Sequence, residues 1–408
     1  IRGIEVIEDT LVADIRNITF NERSGFRMEE VKGSLRLSAK EARVDNLLAR
    51  DRYSVLQANR FSLYYERPAD FAKFTERVRM EADFNNSYLN FSTLARLAPA
   101  LARNRLGMHI SGLVSGTVSN LRSDNLKITS ESGLTYLDLK AKISGLPKAA
   151  ETMAFVDITY CTTTTSDLAY IISSLNSSRP IKFLTQLSPF VKYNFKGRLA
   201  GLLDDFVANG KLQTNIGEMY MDVLLRENTQ KGGLHLEGNL TADKFNVGTL
   251  INNKTLGEVS FNSNMTALLR DTKRGGSEFY IDSITVKQLE FRDYSYSNIQ
   301  ATGSYVGEKF DGKIICHDPN LDFLFQGVFG MSSKSDSYYD FYADIMFADL
   351  AKLNLDKRDS VSLVSLRTTA NFTQKLNGEI LGNIQVKGLE YTNSNGEFPI
   401  GDIFINSA

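Results

Sequence analysis

The chain has 408 residues, with 47 Lys and Arg against 48 Asp and Glu and a formal net charge of −1. Proteins that bind by neutralising phosphates carry a basic excess or stripe, so this balance counts against nucleic acid as a partner and against a polybasic membrane-surface segment. No run of about 18 or more apolar residues occurs, so the chain contains no candidate membrane-spanning helix.

Taken in chain order, alternation with period two is the dominant signal. "ERVRMEADF" aligns Val78, Met80, Ala82 and Phe84 on one face. "YLDLKAKI" places Leu137, Leu139, Ala141 and Ile143 on one face and Asp138, Lys140 and Lys142 on the other. "EMYMDVLLR" does the same with Met219, Met221, Val223 and Leu225. "LDFLFQGVF" groups Leu321, Phe323, Phe325 and Phe329 around Gly327. "YDFYADIMF" aligns Tyr339, Phe341, Ala343, Ile345 and Phe347, and "ILGNIQVKG" aligns Ile380, Ile384 and Val386. Each reads as a half-buried strand with one apolar and one polar face. Gly25, Gly275–Gly276, Asn377–Gly378 and Asn395–Gly396 supply turns at hairpin-like intervals. Only seven prolines are present to interrupt pairing.

Helical text is short. Ser92 to Arg103 begins with a capping-type Ser and carries Leu94, Leu97 and Leu101 at helical spacing. Ser166 to Leu175 repeats this with Leu168, Ile171, Ile172 and Leu175, and a further helix or turn is expected over Pro180 to Leu187. "ADFNNSYLNFSTLARL" aligns without gaps to "VDITYCTTTTSDLAYI", and "ADLAKLNL", Ala348 to Leu355, repeats the idea in shorter form. A glycine phrase also returns, beginning at Gly116, Gly197 and Gly238. These glycines read as turn or strand-entry positions, with Leu121, Leu202 and Phe245 facing inward. Irregular self-similarity of this kind suits an array of strand units with variable inserts. The texture is uniform and no linker intervenes, so one continuous body over 1–408 is expected, with weak sub-units of about 1–130, 131–260 and 261–408.

Residues suited to chemistry are few. Cys316, His317 and Asp318 are ingredients of nucleophilic catalysis, but neighbours on a strand point to opposite faces, and Asp318–Pro319–Asn320 reads as a turn. His109 and His235 have no ligand-spaced partners, and Asp204–Asp205 reads as a solvated turn. HExxH, CxxC, EF-hand, GxSxG and Walker A patterns do not occur. Cys161 and Cys316 read as two small buried residues. No catalytic residue, metal site or cofactor is expected, and the chain reads as a non-enzyme. Apolar strand faces need a cover, and two architectures compete: a sandwich with an ordinary dry core, serving as a structural or adhesive interaction module, and a sheet curled into a gutter whose lining is open to an apolar ligand.

Several stretches resemble one family. "LRLSAKEARVDNLLARDRYSVLQANRFSLYY", "SYLNFSTLARLAPAL", "GLVSGTVSNLRSDNLKI", "GNLTADKFNVGTLINNKTLGEVSFN" and "KFDGKIICHDPNLDFLFQGVF" followed by "DFYADIMFADLAKLNL" are similar to the repeating units of TamB-like proteins of the AsmA superfamily, most closely the Bacteroidetes versions. Together they cover most of the chain. The resemblance implies a mostly β fold: a long, twisted, antiparallel-rich sheet curled into a taco-like open groove with a hydrophobic interior and a few short helices. It implies transfer of phospholipid between membranes and support of outer-membrane biogenesis, in the periplasm of the cell envelope. It also implies anchorage to the inner membrane and an Omp85-type barrel partner, both through segments outside this chain. The chain opens at Ile1 in strand-like text and is read as an internal piece of a longer protein. The residues expected to line the groove against acyl chains are Leu137, Leu139, Met219, Met221, Val223, Phe323, Phe325, Phe329, Phe341, Ile345, Phe347, Ile384 and Val386. About 25 strands are expected at the usual strand spacing.

Overall fold

The computed structural model describes residues 2–21, 27–95, 106–175, 191–202, 204–228, 232–270, 276–330 and 335–407. It is 72% strand and 8% helix. The 24 strands belong to one antiparallel sheet that is not closed into a barrel. Contacts divide the chain into two units, Ile1–Leu212 and Gln213–Ala408. The sub-unit limits expected near 130 and 260 fall at the turn after Ser130 and inside the strand Leu256–Leu269.

The first unit holds β1 (Arg2–Ile7), β2 (Thr10–Ile15), β3 (Phe20–Asn21), β4 (Arg27–Leu37), β5 (Glu41–Asp51), β6 (Val55–Tyr64), β7 (Arg79–Asn90), β8 (Gly107–Thr117), β9 (Asn120–Ser130), β10 (Tyr136–Ser144), β11 (Met153–Thr164), β12 (Lys192–Leu202) and most of β13 (Asp205–Thr214). From β4 to β12 each strand pairs antiparallel with the next. Its α-helices are α1 (Phe74–Arg77), α2 (Phe91–Leu94) and α3 (Thr165–Leu175). The cap of α2 is Asn90, whose side chain accepts from Ser92 N at 2.9 Å, so the expected Ser92 cap is displaced by two residues. The rest of the helix expected through Arg103, and the one expected over Pro180 to Leu187, lie outside the described residues.

The second unit holds β14 (Gly217–Glu227), β15 (Leu234–Asn246), β16 (Leu256–Leu269), β17 (Glu278–Phe291), β18 (Tyr294–Val306), β19 (Lys309–Asp318), β20 (Leu321–Gly330), β21 (Ser337–Asp349), β22 (Ser362–Gln374), β23 (Ile380–Asn393) and β24 (Gly396–Ser407). Every strand pairs with its successor. Hairpin chemistry explains the meander locally: Arg292 and Asp293 join β17 to β18 with φ of 51° and 60°, the left-handed pair that matches the twist of a two-residue hairpin. One helix, α4 (Val247–Ile251), follows β15, and its N-cap Asn246 accepts from Thr249 N at 2.8 Å. Of Ala348 to Leu355, Ala348 and Asp349 close β21 and Leu350 to Leu355 form a compact turn and not a helix, with Leu353 N donating to Asp349 O at 2.9 Å.

Two inserts of each unit follow strands that are an even number of strands apart: α2 and α3 after β7 and β11 in the first, α4 and the compact turn after β15 and β21 in the second. In an antiparallel meander such strands run in the same direction. These inserts therefore share one end of the strands of their unit, the helix-bearing end, and α1, which follows β6, lies at the other end of the first unit.

Candidate functional site: the apolar face

Directly opposed residues in an antiparallel pair share a face, so the register tests whether the apolar faces of successive strands join. In the second unit they do. Val223 opposes Gly238, which opposes Met265. Further on, Ile284 opposes Ala301, Ala301 opposes Ile314, Ile314 opposes Phe325 and Phe325 opposes Ala343. Beyond β22, Ala370 opposes Ile384 and Thr368 opposes Val386. The first unit shows the same continuity: Ile128 opposes Leu137, Leu126 opposes Leu139, and Leu139 opposes Ile158. Leu139, Ala141 and Ile158 are the buried centre of that cluster, with Leu126, Ile128 and Leu137 packed against them.

Of the residues expected to line the groove, Leu137 and Leu139 stand on the apolar face of the first unit. Met219, Met221, Val223, Phe323, Phe325, Phe329, Phe341, Ile345, Ile384 and Val386 stand on that of the second. Phe347 does not. The register shifts between Asp322 and Phe323, so that Asp322 opposes Phe347 while Phe323 opposes Ile345. Met346 is the extra residue of this bulge, and one extra residue reverses the parity of everything beyond it. Phe347 therefore shares the polar face with Asp322 and His317, and Ala348 takes its place on the apolar side.

The opposite face is mostly polar. In the first unit Lys140 opposes Asp157, and Asp157 lies 3.9 Å from Arg198. In the second, Lys313 opposes Gln326, and Arg367 pairs with Asp344 at 3.3 Å. These pairs are largely exposed and contribute little to stability. Their effect is to keep one side of the sheet wet.

The glycine phrases belong to the apolar face and not to turns. Gly238 lies inside β15 at φ +139°, where a Cβ would collide with the carbonyl oxygen of Asp222. Gly197 lies inside β12 opposite Ile158, and a Cβ there would meet the Phe195 ring and Gly210. Glycine lets strand backbones approach closely and lets neighbouring rings lie down across them. Leu121 and Phe245 are on the apolar face as expected, whereas Leu202 opposes Met153 on the other side, because Gly201 takes the inward position.

Two features organise the face of the second unit along the strands. The first is a row of aromatic residues one behind the other across six strands: Phe279 opposes Tyr305, Tyr305 opposes Phe310, Phe310 opposes Phe329, Phe329 opposes Tyr339, and Tyr339 opposes Phe372. The Phe310 and Phe329 rings are 5.2 Å apart, and Tyr339 stacks on Phe372 at 4.5 Å with 16° between planes. This row lies near the end of the strands opposite α4. The second feature is a plug at the helix-bearing end. Leu353 is fully buried and packs with Tyr296 and Ala348, against Leu289, Ile299, Leu321, Ile345 and Val364. The turn after β21 thus folds back over the apolar face. In the sequence Phe279, Tyr305, Phe310 and Phe372 are marked only by alternation such as that in "KFDGKII", diluted elsewhere by Gly, Ser and Thr.

Buried carboxylates hold the helix-bearing ends. In the first unit Asp167 accepts from Ser130 Oγ at 2.7 Å, Ser132 Oγ at 2.6 Å and the Thr135 hydroxyl. In the second, Asp318 accepts from Ser297 N and Oγ and Asn320 N, each at 2.9 Å, and from the Tyr294 hydroxyl. Burial pushes the Asp318 carboxyl up, but the Tyr294, Asn320 and Ser297 hydrogen bonds outweigh it and hold the group below the usual carboxylate range. These carboxylates have their acceptor sites filled by the protein, which suits a structural role. Among the described residues there is no group of three or more His, Cys, Asp or Glu placed to hold a metal ion.

Cys316 and His317 are divided between the faces. Cys316 opposes Phe323 on the apolar side, where burial pushes its thiol up to about 11. His317 Nδ1 lies 2.9 Å from Asp322 on the polar side. The two cannot act together as nucleophile and base. Both cysteines are free. No helix among the described residues is long and apolar enough to cross a membrane. No family model, no curated protein and no solved structure matches the chain.

Proposed function

We propose that the apolar face shields the acyl chains of lipids and that the chain is a non-enzymatic element of a lipid-transfer groove. The observation that supports this reading is the continuity of the apolar strip in the second unit. It is broad, it runs from buried residues such as Val223, Phe325 and Ala343 to partly exposed ones such as Phe323, Phe329 and Phe341, and no second sheet is present among the described residues of that unit. A dry sandwich core needs an opposing layer of comparable size, whereas acyl chains need a sequence-tolerant apolar surface. The resemblance to TamB-like proteins extends the proposal: the ligand is phospholipid, the sheet curls into an open groove, and the setting is the periplasm. Inner-membrane anchorage and contact with an Omp85-type barrel would then lie in segments outside this chain.

Photoactivatable phenylalanine analogues at Phe325 and Phe341 test the reading in cells. Phospholipid adducts are expected there and not with the same analogue at Asp138 or Lys140. Equal labelling at all four positions, or none at Phe325 and Phe341, would sink it.

A further inference from the structure

The apolar face of the second unit is not the same at its two ends, and a ligand lying on it would feel the difference. At the helix-bearing end the Leu353 plug closes the face with apolar side chains. The carboxylates beneath it are occupied: Asp318 accepts from Tyr294, Ser297 and Asn320, and Asp349 accepts from Lys352 N at 3.1 Å and pairs with Lys352 Nζ at 3.0 Å. At the other end the aromatic row borders water. The partly exposed Lys375–Asp336 pair, 2.9 Å apart, lies three residues beyond both Phe372 and Tyr339, while Lys309, the chain neighbour of Phe310, is on the polar face over the Tyr338 ring.

We propose that an acyl-bearing amphiphile lies along the strands of the second unit with its polar end at the aromatic row and its methyl end toward Leu353. This rests on the acyl-chain reading above. Aromatic side chains with one apolar and one wet side collect at apolar–water boundaries, and the tyrosines of this row, Tyr305 and Tyr339, carry a hydroxyl for the wet side. A polar head group placed under the plug would be desolvated against carboxylates that already accept hydrogen bonds from the protein, and an unpaired charged group is costly to desolvate. The length agrees. From Phe329 to Leu321, on the same strand, is eight residues, about 26 Å at the usual rise. One leaflet of hydrocarbon is about 15 Å deep, half of a bilayer core, so a single acyl chain fits between the row and the plug with room for the head group outside.

The test uses the whole chain and two photoactivatable fatty acids, one with its diazirine beside the carboxylate and one with it at the methyl end, with adducts mapped by peptide mass spectrometry. The carboxylate-end probe is expected to mark the peptides of Phe329, Tyr339 and Phe372 over that of Leu350–Leu355 by about tenfold, the ratio that 1.4 kcal/mol of preference gives. The methyl-end probe is expected to reverse the ratio. Adducts that are evenly spread, or reversed in both probes, overturn the orientation while leaving the acyl-chain reading standing. Absence of adducts from both probes overturns the two together.

Discussion

Cys316 and His317 are neighbours in the chain and stand on opposite sides of the sheet. The thiol is 2% exposed beside Phe323, and the imidazole is hydrogen-bonded to Asp322. A buried thiol with its pKa raised to about 11 is a weak nucleophile at neutral pH. Alkylation of native protein at neutral pH is therefore expected to be slower at Cys316 than in denaturant by about a hundredfold or more, as opening must precede reaction. Rapid labelling of native Cys316, read by mass spectrometry, would contradict the placement of its side chain.

Phe325 and Phe347 differ by the face they occupy. Phe325 is 7% exposed among Phe310, Phe329, Phe341 and Ala343, whereas Phe347 is 36% exposed on the polar side. Phe325→Ala is expected to cost about 3–5 kcal/mol, the usual value for a buried phenylalanine. Phe347→Ala is expected to cost less than about 1 kcal/mol. Urea denaturation of the two variants checks the contrast, and equal costs would mean the bulge at Met346 is misplaced.

Gly238 is a position where a single methyl group should matter. At φ +139°, and with the Asp222 carbonyl in the way, Gly238→Ala is expected to destabilise by roughly 2 kcal/mol or more. Gly276, also at positive φ but with open space around its Cβ position, is the control. Its alanine variant is expected to cost about 1 kcal/mol, the left-handed penalty alone. The measurement is the difference between the two denaturation midpoints.

Asp318 links stability to acid. Its carboxyl titrates below the ordinary range in the folded protein, so folding binds fewer protons there than the unfolded chain does. The stabilisation is present above the unfolded value of about 3.9 and is lost as pH falls through the lower folded value. Asp318→Asn is expected to be less stable at pH 7 by about 1–3 kcal/mol, from weakened charge-assisted hydrogen bonds. Its stability should also fall less steeply than wild type below pH 4. Parallel acid-denaturation curves would show that Asp318 is not the linked group.

Alternation made most of the architecture legible, because a period of two is a local property of the chain. Leu137 to Ile143 declares its inward face without reference to any other strand. Parity is local only until a bulge intervenes. Phe347 looks like the next inward residue after Ile345, and nothing in "ADIMFADL" announces that Met346 is extra. The same limit explains Leu202. Gly116, Gly197 and Gly238 read as turn or strand-entry positions because glycine frees the backbone anywhere, and the requirement for them comes from the approaching neighbour strand, such as Asp222 beside Gly238. The Leu353 plug was hidden for a related reason: "AKLNL" has a helix-like spacing, but what buries Leu353 is side chains from β17 to β22, far away in sequence. The aromatic row is a transverse feature and becomes visible only once the register of six strands is known.

The meander sets a rule for how such a chain can change length. Each strand pairs with its successors, so material can be added or removed locally, but the inserts after β15 and β21 share an end only because an even number of strands separates them. Gaining or losing one strand between β15 and β21 would send the plug to the end opposite α4. Gaining or losing a hairpin leaves both where they are. Evolution of this sheet is thereby confined to steps of two, and a homologue of different length should differ by whole hairpins between its inserts.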